Sequence, residues 1–211
     1  HHPRRPYRRG RAVSLPADGG PRVSDYEAFL LSKSQRGAAS GFVPVWMPPQ
    51  AFDFQQRLID WSVRMGRAAV FADCGLGKTL IELAFGENVV RYTNGRVLLA
   101  APLAVAIQIV GEAAKFGVAV HYSRDGSLKS GINVTNYERL HLFQPADFAG
   151  FIGDESSILK SFEGSRRAQI TQFMRQVPYR LLSTATAAPN DYIELGTSDR
   201  KSTRLNSSHS D

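Results

Sequence analysis

The most constraining feature of the chain is a short apolar run, residues 68–72 (AAVFA), that enters a glycine turn and leaves it into a helical pattern. The turn reads Asp73-Cys74-Gly75-Leu76-Gly77-Lys78-Thr79, and Leu80, Leu83 and Ala84 beyond it fall on one helical face. A strand followed by a helix is the unit from which parallel sheets covered by helices are built. The rest of the chain repeats the alternation. Strands are expected at residues 97–101, 118–122, 132–136, 148–153 and 179–183, where β-branched and apolar residues run between turn signals. Helices are expected at residues 52–65, 103–116 and 164–176, with Asn94-Gly95 as a turn and Gly117 as a helix stop. A further helix over residues 25–33 is suggested by Ser24 and Glu27 at capping-box spacing. No internal repeat is visible, so the prediction is one α/β layer structure.

Residues 72–79 have the spacing of a phosphate-binding loop, with Ala72 where the first glycine usually stands. Gly75 and Gly77 would let backbone N–H groups turn inward around phosphate oxygens, helped by Cys74 as a small filler and by Leu76 between them. The following helix would aim its positive end at the same anion. Lys78 would reach the β- and γ-phosphates of ATP, and the Thr79 hydroxyl would ligate Mg²⁺. A plain glycine turn would explain Gly75 and Gly77 but not the Lys78-Thr79 pair.

Phosphate chemistry needs a second site with two acids in different jobs. Asp154-Glu155 follows the apolar run at 148–153. Asp154 is expected to hold Mg²⁺ and Glu155 to orient and deprotonate the attacking water. An Asp-Glu pair alone is usually a solvated loop; its place at a strand end downstream of a phosphate loop gives it weight.

Gly75 to Thr79, Asp154 to Ser157 and Thr184-Ala185-Thr186 resemble motifs I, II and III of the superfamily-two helicases, across residues 50–195. The pattern is most similar to Swi/Snf-type and phage DEAD/DEAH-like ATPases, with Lys160 after the acidic motif and Pro189-Asn190 after motif III. The resemblance implies a RecA-like P-loop NTPase sandwich with a mainly parallel sheet and ATP at the carboxyl ends of the strands. Ser157 stands where the family carries His or Asp, which puts coupling to nucleic acid in question more than ATP binding. By the same resemblance Ser157, Thr184, Ala185 and Thr186 are coupling residues, with Thr184 and Thr186 relaying the γ-phosphate state to the nucleic-acid site; their other reading is that they simply end a β-strand. Gln55 corresponds to the adenine-reading glutamine; its other reading is a polar residue on an amphipathic helix whose apolar side is Phe54, Leu58 and Trp61. Pro102 and Leu103 resemble motif Ia, and Thr135 and Asn136 the next nucleic-acid-facing motif, where backbone amides and hydroxyls would grip one strand without reading its sequence. The partner implied is DNA, with RNA not excluded, together with a second RecA-like lobe that would supply a transition-state arginine. A lobe alone is expected to bind ATP weakly and hydrolyse it slowly.

Net charge bears on this less than it first suggests. The chain carries +7, but six arginines against one aspartate fall in residues 1–22 and three basic against two acidic groups in residues 199–211, leaving a nearly neutral body. Residues 1–22 read as a disordered basic arm outside the natural fold, with residue 23 as a candidate start. Residues 199–209 (DRKSTRLNSSH) read as a translated sequencing adapter, so the natural protein is expected to continue past about residue 198 and the ATP-binding domain to occupy residues 23–198. A single cysteine, Cys74, leaves no internal disulfide, and no apolar run reaches the roughly 18 to 20 residues of a membrane span. The expectation is a cytoplasmic protein of bacterial or phage-infected cells. Two rival classes remain: a small-molecule phosphotransferase, which would need an arginine-rich lid not visible between Thr79 and Asp154, and a non-catalytic ATP-switch module of a larger nucleic-acid-processing assembly.

Overall fold

The computed structural model describes residues 39–71, 75–154 and 164–184. Six strands form one sheet: β1 (Arg67–Phe71), β2 (Arg96–Ala101), β3 (Val120–Tyr122), β4 (Ile132–Asn136), β5 (Phe148–Gly153) and β6 (Tyr179–Thr184). Their order is β1-β6-β5-β2-β4-β3, and every neighbouring pair is parallel. Parallel neighbours cannot be joined by tight hairpins, which is why helices fill most of the connections. The helices are α1 (Asp53–Met65), α2 (Lys78–Thr93), α3 (Leu103–Ala113) and α4 (Gly164–Gln176).

The expected strands are all present, with ends moved by at most two residues. The helix expected over 103–116 is α-helical only to Ala113; its last turn tightens to a 3₁₀ helix over Ala114–Phe116 and stops at Gly117, whose φ of 70° is left-handed. Asn94 ends α2 in the same region, φ 53°, with its N–H bonded to the Val90 carbonyl. The helix expected over residues 25–33 lies outside the described residues. Among those described, no helix is long and apolar enough to cross a membrane.

Side chains alternate across the sheet as strand geometry requires. In β2, Val97, Leu99 and Ala101 join a core with Ile59, Leu83, Phe85 and Ile109 of the helices on one face. Leu98 and Ala100 join Phe151, Ile170 and Phe173 on the other. The result is a three-layer α/β/α sandwich with two cores.

Leu80, Leu83 and Ala84 are buried as expected, and so is every other residue from Leu80 to Gly86, because that part of α2 is covered on all sides. Phe85, Leu83 and Ile81 are each at most 1% exposed, and such burial is worth about 1.5–3 kcal/mol per side chain. One sequence expectation about a helix face is corrected. On α1, the expected apolar side (Phe54, Leu58, Trp61) is not the buried one. Phe54 and Trp61 are 42% and 44% exposed, while Gln55, Ile59, Ser62 and Val63 face inward.

The segment leading to α1 is held by a clamp that no sequence motif marks. Asn88, fully buried on α2, accepts from the Val45 and Trp46 N–H groups at 2.8 and 2.9 Å and donates to the Trp46 and Ala84 carbonyls, both at 2.8 Å. Beside it, Phe42 stacks on Tyr92 with centroids 3.8 Å apart, and the Arg91 guanidinium lies 5.0 Å above the Trp46 ring.

Candidate functional site

Because the strands are all parallel, their carboxyl ends share one edge. Ligands of open α/β sheets bind outside that edge. The sheet order puts β6 between β1 and β5. The turn after β1, the end of β6 and the residue after β5 therefore come together: Phe71 pairs in register with Thr184, and Gly153 with Leu182.

The turn has the shape that its glycines permit. Gly75 and Gly77 take φ values of 91° and 73°, a region costly for residues with a Cβ. Among the described residues, a Cβ on Gly75 would meet nothing within 4 Å. Gly77 is the N-cap of α2 and offers no side-chain cap to the N–H groups of the first turn. Lys78 and Thr79 open the helix and are half-buried, while Leu76 is 42% exposed.

Gln55 is drawn under this turn. It is 4% exposed, its Nε2 donates to the Leu76 carbonyl at 3.0 Å, and its Oε1 accepts from the Phe52 N–H at 3.0 Å. A Cβ on Gly77 would strike the same Nε2. The side chain thus braces the glycine turn against the start of α1. Phe52 and Phe54 beside it are exposed and line an open depression with Ala51 and Asp53.

Asp154 sits just past β5, 6% exposed, and its backbone is fixed at both ends. Its N–H continues the ladder to the Ala100 carbonyl at 2.9 Å, and its carbonyl accepts from the buried Tyr137 hydroxyl at 2.8 Å. Ser183 Oγ lies 3.4 Å from Asp154 Oδ1 and donates to Glu82 Oε1 on α2. Glu82 is 1% exposed, and burial holds its carboxyl well above the usual value of 4.5. The Asp154 charge pushes in the same direction, while the Ser183 hydrogen bond and the Lys78 charge oppose it. Lys78 and Asp154 are thereby close enough for both to act on one buried carboxyl.

Neither Glu82 nor Ser183 is marked as a site residue by sequence motifs. The available signal was a lone acid inside the apolar run Leu80–Phe85, one helical turn beyond Lys78. The residues expected at a nucleic-acid face divide. Leu103 is 49% exposed at the start of α3, and Pro102 is its N-cap. Thr135 and Asn136 are buried, and the Thr135 hydroxyl is spent on the Ser123 carbonyl at 3.1 Å. Thr184 is buried at the end of β6. Cys74, Glu155, Ser157, Ala185 and Thr186 lie outside the described residues.

A mainly parallel sheet between two helical layers, with the glycine turn after β1 and the carboxylate after β5 on either side of the end of β6, is arranged as in the RecA-like P-loop NTPase fold. Solved structures with this fold include the UvsW helicase from bacteriophage T4 (TM-score 0.59, 13% identity, 83% of this chain and 66% of that one). The Sulfolobus solfataricus SWI2/SNF2 ATPase core in complex with dsDNA gives a TM-score of 0.58 at 20% identity, over 74% of this chain and 37% of that one. A nuclease-deletion mutant of the Type ISP restriction-modification enzyme LlaGI, bound to a DNA substrate mimic, gives 0.50 at 16% identity, over 65% and 17%. At these identities the likeness is one of fold, shared with helicase and translocase ATPase domains. This chain spans less than two thirds of the length of each. No protein-family model matches the sequence, and no curated protein matches it.

Proposed function

We propose that this chain is the ATP-binding lobe of a nucleic-acid-dependent ATPase of the helicase or translocase kind, acting on DNA. The observation that carries the reading is an uncapped glycine turn and a buried carboxylate at the carboxyl ends of the two strands that flank β6. The N–H groups around Gly75, Leu76 and Gly77 would cradle phosphate oxygens, and Lys78 would neutralise them as a point charge. Mg²⁺ is commonly held by one or two protein oxygens together with substrate phosphates and water. Thr79 and Asp154 would hold it, and when bound it supplies charge neutralisation between the β- and γ-phosphates. Glu155 would orient the attacking water and take its proton. Exposed Leu103 and half-buried Pro102 would meet a DNA backbone, and Thr184 with Ala185 and Thr186 would report the γ-phosphate state to it. The whole protein would add a second lobe bearing an arginine; within this picture the sequence pattern favours the phage and Swi/Snf branches.

ATP turnover with and without single-stranded and duplex DNA tests the reading, beside nucleotide-dependent thermal stabilisation. At ATP·Mg²⁺ about 100-fold above Kd, the wild type should gain about 2.7 kcal/mol, and Lys78→Ala should gain almost none. Turnover that ignores DNA, or binding that survives Lys78→Ala, would sink it.

A further inference from the structure

We infer that Glu82 is a positioning residue for the Asp154 carboxylate, acting through the Ser183 hydroxyl; this rests on the ATP·Mg²⁺ reading of the site. Glu82 stands in a helix segment that is otherwise apolar and wholly buried. An apolar side chain would fill that place without the cost of removing a carboxyl from water, so packing gives no reason for an acid there. Its surroundings do. Oε1 accepts from Ser183 Oγ, and Oε2 has no hydrogen-bond partner among the described residues. The same Ser183 oxygen lies 3.4 Å from Asp154 Oδ1.

A serine hydroxyl carries one proton, and here it faces two carboxyl groups. Shared between them, it ties α2 and the end of β5 to a single point on β6. The Asp154 backbone is already fixed through Ala100 and Tyr137, so its side-chain torsions are what remain to be set. The Glu82–Ser183 pair bears on them through the Ser183 hydroxyl. Since α2 begins at Lys78, Glu82 ties the helix that carries the phosphate-side lysine to the strand end that carries the metal-side acid.

Outer groups that orient a metal-binding carboxylate affect metal affinity by about 10- to 100-fold when removed. The experiment is a Mg²⁺ titration of fluorescent-ATP binding, with a melting curve for each variant. Glu82→Ala and Ser183→Ala should each raise the Mg²⁺ needed for half-saturation about 10-fold or more. The double variant should do no worse than the poorer single, because both lesions cut one path. Glu82→Gln, which can still accept from Ser183, should return close to wild type. A folded Glu82→Ala protein with unchanged Mg²⁺ dependence, or strictly additive effects in the double variant, overturns the inference. Should Glu82→Ala not fold, Ser183→Ala with Glu82→Gln decides the same question. Mg²⁺-independent behaviour of the wild type itself would instead overturn the ATP reading, and this inference with it.

Discussion

Asn88→Ala should loosen the whole entry segment from α2. The wild-type carboxamide makes four hydrogen bonds, three of them to backbone groups of Val45 and Trp46. Truncation leaves two N–H groups and one carbonyl without their partner; the fourth acceptor, the Ala84 carbonyl, lies within the helix. A buried group left unpaired costs about 1–3 kcal/mol, but Val45 is 53% exposed and water can reach part of this stretch. Taking the lower end for three groups, and adding about 0.5–1 kcal/mol for a loosened Arg91–Trp46 contact, gives about 3.5–4 kcal/mol. Urea unfolding followed by Trp fluorescence reads this directly. Asn88→Asp keeps the two acceptor contacts but loses both donors and sets a buried charged oxygen against the Trp46 and Ala84 carbonyls, so at neutral pH it should cost at least as much as Asn88→Ala. A loss below about 1 kcal/mol in Asn88→Ala, or an Asn88→Asp variant as stable as the wild type at neutral pH, would refute the reasoning.

Three further outcomes are expected. Gly77→Ala forces a Cβ into a left-handed position and onto Gln55 Nε2, so it should cost about 2–3 kcal/mol by strain and by the lost bond to the Leu76 carbonyl; a change under about 0.5 kcal/mol in chemical denaturation would contradict this. Tyr137→Phe removes the hydroxyl from the Asp154 carbonyl without opening a cavity and should cost about 1–2 kcal/mol, read from the denaturation midpoint at constant slope. For Glu82 the folded carboxyl titrates above its ordinary value of 4.5, chiefly by burial and next by the Asp154 charge. Its neutral form therefore favours the folded state, and the stability it contributes is present below 4.5 and lost as pH rises through the folded value. Glu82→Gln, which stays neutral, should gain on the wild type progressively as pH is raised from 4.5; a pH-independent difference would show that Glu82 does not titrate in this way.

How far the sequence reached can be followed residue by residue. The strand at residues 148–153 was legible because a parallel strand buried on both faces is a nearly continuous apolar stretch, and that at residues 132–136 because Ile132, Val134 and Thr135 are β-branched. The glycine turn was legible because positive φ at Gly75 and Gly77 is a local demand that few residues meet. Burial of a particular helix face was not legible. On α1 the exposed aromatics Phe54 and Trp61 outweigh Gln55 in any hydrophobicity pattern, yet Gln55 faces inward because both ends of its carboxamide find backbone partners.

What the sequence determined by itself was local: the strand and helix periods, the turn chemistry, and which residue types stand where phosphate and metal chemistry would need them. Only the tertiary structure decided strand order, and with it that β6 lies between β1 and β5 and brings Ser183 to Asp154. The same holds for Glu82, whose meaning depends on a contact with a residue 101 positions away. Local propensity carries no information about such a pair, because what joins the two residues is the packing of α2 onto a sheet that neither of them specifies alone.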